Sequence, residues 1–290
     1  MTEFNLNRVN DTALQLVEGV SVLANTVFRD AEKDFNPGNG RKVGIRLPQP
    51  LKAELKTDGN TVQYKSLDEK LVELELTDWA YGAVKVSDAD MTFAVRDGGA
   101  QILAPIAEGV AIHCEESIAK VMNAQIEAGE TRAGSALTIS KKEPTKAVAA
   151  AAGEFLKRKI HPSEARYLAI GPELLEAFLN VKELTKVDNA GTPDALRNAT
   201  LGRLHGFTVV ASPYITGGIF YSKNGFALGN RAPLAPQGAP KVASSTWSGF
   251  SLTTTYSYAP EQMSDVIQSS TFVGTVLLDA NRVMACKVAA

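Results

Sequence analysis

A chain that carries a long polar hairpin cannot close up as a single globule, and residues 43–86 have the pattern of such a hairpin. They open on VGIRLPQPLKAEL, where Pro48 and Pro50 favour an extended path and cannot donate to a sheet ladder. Thr57-Asp58-Gly59-Asn60 is a turn signal. Beyond it Val72, Leu74 and Leu76 alternate with Glu73 and Glu75, the period of a strand. The pattern predicts a two-stranded arm with a charged tip and few large apolar residues. Alone, such an arm is marginal in water. It has to lie on something else, and a neighbouring subunit is the natural candidate.

The segments around the arm predict a mixed α+β protein. Leu16, Val20, Leu23, Val27 and Ala31 recur at spacings of three and four, so a helix is expected over 12–31. It ends before the Asn, Pro and Gly cluster of Asp34–Gly40. Residues 101–128 give the strongest helix signal, with Leu103, Ile106, Val110, Cys114, Ile118 and Val121 in one stripe and Pro105 tolerable in a first turn. Gly129 is the expected stop. At 1.5 Å per residue this helix would run roughly 40 Å, a rigid beam. Residues 144–221 alternate helix (144–160, 172–181) with strand (167–170, 208–210, 218–221), around a polar loop at 182–200. Residues 226–290 are β-rich: FSLTTTYSY alternates, and FVGTVLLDANRVMACKV reads as two strands joined at Asp279–Arg282.

No catalytic constellation emerges. The three histidines, His113, His161 and His205, share no metal-ligand spacing, and neither H-E-x-x-H nor C-x-x-C occurs. There is no G-x-S-x-G elbow. Asp88 and Asp90 in SDAD fit a cap after the arm better than a metal site. Gly98-Gly99 either turns the chain into the beam or offers an anion a helix N-terminus; the turn is the simpler reading. The stretch DFNPGNGRKVGIRLPQP tests as a phosphate loop and fails. Gly38 and Gly40 follow a helix and precede an extended segment, the reverse of a P-loop context. Two cysteines, Cys114 and Cys286, fit buried free thiols rather than a disulfide framework. The charge is nearly balanced, with 30 Lys and Arg against 32 Asp and Glu, which disfavours an intimate grip on nucleic acid. No apolar run is long enough to span a bilayer and the N-terminus has no secretory pattern, so a soluble chain made in a cytoplasm, with no membrane partner, is expected.

Three stretches, in this order, resemble tailed-bacteriophage major capsid proteins with the Hong Kong 97 fold. VFRDAEKDF followed by GNGRKVGIRLPQP is similar to the passage from the N-terminal arm into the extended loop. LGRLHGFTVVASPYI resembles the G-x-x-x-G-F-x-V-x-x-S segment through Gly202, Gly206, Phe207, Val209 and Ser212. NGFALGNRAPLAPQGAP resembles A-F-x-L-A-x-R-x-P through Phe226, Ala227, Leu228, Arg231, Ala232 and Pro233, with Gly229 in place of the usual Ala. The resemblance implies an N-terminal arm (1–36), an extended loop (37–90), a peripheral domain with its spine helix (91–143), an axial domain (144–225) and a returning peripheral sheet (226–290). It implies a non-enzymatic virion protein, without cofactor or metal, that self-assembles into hexamers and pentamers. These would tile an icosahedral shell in the host bacterial cytoplasm, around double-stranded DNA touched only non-specifically. Separate scaffolding, portal and decoration proteins are expected partners. No fused scaffolding segment and no inserted domain are expected.

In that frame Gly38 and Gly40 become a hinge between helix and arm. Arg41, Lys42, Lys52, Glu54, Lys56, Asp58, Lys65 and Arg231 become candidates for contacts between subunits. Some relatives cross-link a loop lysine to an asparagine; Lys52, Lys56 and Lys65 lie in the right region, but no partnering acid can be assigned. Two other readings stay open: an encapsulin-like nanocompartment shell, and a soluble α/β enzyme resting on residues 144–221.

Overall fold

The computed structural model describes residues 21–35, 38, 40–48, 53, 55, 56, 61, 64, 69–93, 102–129, 137–140, 143–181, 202–238, 241–247 and 250–289. The arm is an antiparallel ladder of β1 (Lys42–Pro48) and β2 (Glu69–Glu75), in register from Lys42 opposite Glu75 to Pro48 opposite Glu69. The ladder stops at Glu75. Asp78–Ser87 forms β3, which leaves the arm and pairs with β12 (Ser264–Leu277). β12 organises a five-stranded sheet. One of its edges takes β3; the other takes β11 (Phe250–Ala259) and then β9 (Phe226–Arg231), with β10 (Lys241–Trp247) outside β11.

The third sheet is mixed and six-stranded, in the order β4 (Leu137–Ser140), β13 (Val283–Ala289), β8 (Gly218–Ser222), β5 (Arg166–Ile170), β7 (Phe207–Ala211), β6 (Arg203–Leu204). A short helix α1 (Asp88–Phe93) follows β3, with Ser87 capping it by accepting from the Asp90 amide at 3.1 Å. The beam is α2 (Ala104–Ala128), 25 residues, with Pro105 in its first turn and Gly129 at its end. α3 (Pro144–Lys157) and α4 (Pro172–Leu179) each begin on proline, whose missing N–H is no loss there.

Strand alternation explains how these pieces share cores. In the six-stranded sheet Ala169, Ile219, Tyr221 and Ala285 face α2, whereas Leu168, Ile170, Phe220, Met284 and Cys286 face α3 and α4. The α2 stripe of Val110, Cys114, Ile118, Met122 and Ile126 packs against that first set and also against Phe226, Leu252 and Val273 of the five-stranded sheet. One helix therefore serves two sheets. On the α3/α4 side Phe207 meets Phe155 and Phe220 edge-on, at 5.2 and 5.0 Å between ring centres.

The N-terminal segment departs from the sequence expectation. Residues 12–20 of the expected helix lie outside the described residues, and the remainder is not α-helical. Ala24–Thr26 and Asp30–Asp34 are single 3-10 turns, separated by Phe28, which bridges to Ala227. The physical reason is the path. Leu23, Ala24 and Val27 are buried against α2, on one side of β9. Ala31 and Phe35 are buried on the other side with Ala227, Leu74 and Leu278. A chain that clasps the sheet in this way cannot stay helical across the crossing. The apolar spacing is real, but it serves two different cores.

Candidate assembly surface

The arm is anchored more firmly than its polar composition suggests. Val43, Ile45 and Leu47 of β1 and Val72, Leu74 and Leu76 in or beside β2 converge on Phe35, Ala227, Phe272 and Val276, and Leu74 has no solvent exposure. The foot of the arm thus belongs to its own subunit. The other face of the ladder carries polar pairs along its length: Lys42 lies 3.2 Å from Glu75 and 3.8 Å from Glu73, and Arg46 lies 3.4 Å from Glu69. These carboxylates raise the Lys42 pKa above its ordinary value. Beyond the ladder Leu55 and Tyr64 are 96% and 95% exposed, apolar groups left uncovered by the described residues.

Four residues marked by sequence come together at the arm root. Gly38, Gly40, Arg41 and Arg231 line one open cleft of about 370 Å³, with Phe35, Leu76, Ala232, Pro233, Leu234 and Phe272. Gly38 and Gly40 have φ of 96° and 82°, backbone that L side chains rarely adopt. The Leu76 amide donates to the Arg41 carbonyl at 3.0 Å, locking the chain as soon as it leaves Gly40. Lys42 sits apart on the ladder, and Lys56 is exposed toward the tip. Lys52, Glu54, Asp58 and Lys65 lie outside the described residues. Next to the cleft, Phe272 contacts Trp79 with ring centres 5.1 Å apart, and Trp79 and Tyr81 of β3 are exposed.

Sequence inspection missed the buried charges. Glu115 is 2% exposed, and its two carboxylate oxygens accept from the Leu23 and Ala24 amides at 3.0 Å each. Burial raises its pKa although these amides pull the other way. Glu32 pairs with Arg29 at 2.9 Å, and the Arg29 guanidinium lies 3.9 Å above the Phe250 ring. Burial raises Glu32 to about 7 against the opposing pull of Arg29. A signal for Glu115 existed: it follows Ala111 by four residues and precedes Ile118 by three, inside the apolar stripe.

His113 Nε2 is 3.6 Å from the Asp78 carboxylate, His161 Nδ1 is 2.6 Å from Ser163 Oγ, and His205 occupies a turn with φ of 44°. Among the described residues no group of three or more His, Cys, Asp and Glu converges as metal donors. Cys114 and Cys286 are buried free thiols, and burial raises both, Cys114 to about 12. No described helix is long and apolar enough to cross a membrane.

A two-stranded arm leaving a β-sheet lobe, a helix packed on both that lobe and an α/β lobe, and an N-terminal segment clasping the sheet together define the fold. In particular, the chain has the Hong Kong 97-like fold of phage capsid proteins. It aligns with a structure from Mycobacterium phage Che8 over 92% of this chain and 90% of that one, at 18% identity and a TM-score of 0.64. A capsid structure of cyanophage P-SCSP1u aligns over 87% and 84% of the two chains, at 13% identity and a TM-score of 0.61. A virus-like particle from Pyrococcus furiosus aligns over 96% and 98%, at 11% identity and a TM-score of 0.52. No protein-family model matches the sequence, and no curated protein matches it.

Proposed function

We propose that the chain is the major capsid protein of a tailed phage or prophage, self-assembling as hexamers and pentamers into an icosahedral shell around double-stranded DNA. One observation carries this reading: the fold matches phage structures over 92% and 87% of this chain and 90% and 84% of the matched chains. The exposed Leu55 and Tyr64 at the arm tip support it, because a neighbouring subunit would cover them. In the same reading the chain divides as its relatives would: terminal arm, extended loop, spine-helix domain, axial domain and returning sheet. Its role is that of a wall and not a catalyst. Arg41, Lys42, Arg231 and the charged arm residues take part in contacts between subunits. Scaffolding, portal and decoration proteins act as separate chains, and the packaged DNA meets the inner surface without sequence preference.

Electron microscopy of the purified protein, alone and with scaffolding, tests this. Shells or capsomers are expected. A variant in which a short Asn-Gly turn replaces residues 50–67 should fold with an unchanged core but give none. A strictly monomeric wild-type protein at high concentration under every condition, or normal shells from the shortened variant, would count against the proposal. The Pyrococcus furiosus particle favours a second reading, a cellular compartment that encloses protein. The contents of purified shells separate the two: nucleic-acid absorbance for the first, a co-purifying protein for the second.

A further inference from the structure

The neighbours of Gly229 show what its missing side chain permits. Gly229 on β9 is the cross-strand partner of Gly274 on β12, so the two glycines form one bare patch on the sheet face opposite α2. The arm root lies on that patch. A Cβ on Gly274 would stand 2.0 Å from the Glu75 carbonyl oxygen and 3.0 Å from Leu76 Cα, both backbone atoms. A Cβ on Gly229 would meet Phe35 Cε2 at 2.9 Å, Leu74 Cδ2 at 3.1 Å and Leu76 Cδ2 at 3.2 Å, all side-chain ends. Glycine inside a strand marks just such a close approach of another segment.

We infer that the Gly229–Gly274 pair is the seat of the arm: it sets how deeply the root docks on the sheet and hence the direction in which the arm leaves the subunit. The two members contribute unequally. An alanine at 274 pushes backbone, and restoring ordinary contact needs a displacement on the order of an ångström, which a projecting ladder magnifies toward its tip. An alanine at 229 pushes only side-chain ends, which yield by tenths of an ångström. Both are positioning residues. The hinge at Gly38 and Gly40 lets the chain enter the arm, and the seat fixes where the arm then points. Only the consequence for shell assembly rests on the capsid reading; the docking itself does not.

Hydrogen exchange on the full-length subunit tests the seat. The probe is the Leu76 amide, which donates to the Arg41 carbonyl. Gly274→Ala should speed its exchange about tenfold or more, and Gly229→Ala by a smaller factor, with amides of β5 and β8 unchanged. That pattern separates displacement of the arm from general loss of stability. If Gly274→Ala does not fold, Gly229→Ala decides alone. An unchanged Leu76 amide in whichever variants fold, or equal acceleration in β5 and β8, overturns the inference. Assembly is scored separately by microscopy: shells from the wild type and none, or misshapen ones, from Gly274→Ala are expected. Normal shells from Gly274→Ala would remove the seat's role in assembly. A wild type that never assembles would instead count against the capsid reading and leave the exchange result standing.

Discussion

Two carboxylates tie the N-terminal segment to the body, and both are held in surroundings that disfavour their charge. Glu115 receives the Leu23 and Ala24 amides under α2, and Glu32 sits beside Arg29 over Phe250. Because burial raises Glu32 from 4.5 to about 7, the folded state binds its proton more tightly than the unfolded chain does. The favourable contribution is therefore full below the unfolded value of about 4.5 and is lost as pH rises through about 7. Glu115 shifts in the same direction. The subunit should be more heat-stable near pH 5 than near pH 8, and Glu32→Gln should flatten that difference while keeping the fold. Thermal unfolding at the two pH values checks this. An equal or steeper pH dependence in the variant would refute the assignment.

The two ends of the arm differ in kind. Its foot is an apolar core of Leu74, Leu76, Ile45 and Phe35; its tip presents Leu55 and Tyr64 to solvent. Between the N-terminal clasp and the foot, Gly38 and Gly40 hold positive φ with no atom of another segment near their missing Cβ positions. Proline fixes φ near −65°, so a Gly38→Pro/Gly40→Pro double variant cannot adopt this path. We expect it to fold its two lobes, judged by circular dichroism, and to fail in assembly, judged by microscopy. Normal shells from the double variant would show that these glycines are no hinge.

On the scale of the whole subunit, α2 is the shared wall of two sheets. Met122, fully buried, lies in a cluster that includes Ala169 and Ile219 of one sheet and Phe226 and Val273 of the other. A cavity there is felt by both. Met122→Ala should cost about 2–5 kcal/mol and lower a single unfolding transition. Two transitions, with only one displaced, would show that the lobes unfold separately. The lobes were legible in sequence because their signals are local: the stripe from Leu103 to Val121, the FSLTTTYSY alternation and the joint at Asp279–Arg282 all fall where expected. The N-terminal helix was not, because its apolar spacing answers to two cores on opposite sides of β9 rather than to one helix face.

By itself the sequence determined the main elements from the arm onward, the glycines at the arm's entrance and the absence of a recognisable catalytic motif. Those are matters of periodicity, turn chemistry and residue type, and they need no partner to be expressed. Only the tertiary structure decided that β3 leaves the arm for the sheet, that Glu115 is buried under the clasp and that Arg41 and Arg231 share a cleft. It also gave Gly229 a reason. A missing methyl has no signature along the chain; it acquires meaning only when another strand, distant in sequence, comes to lie where that methyl would be.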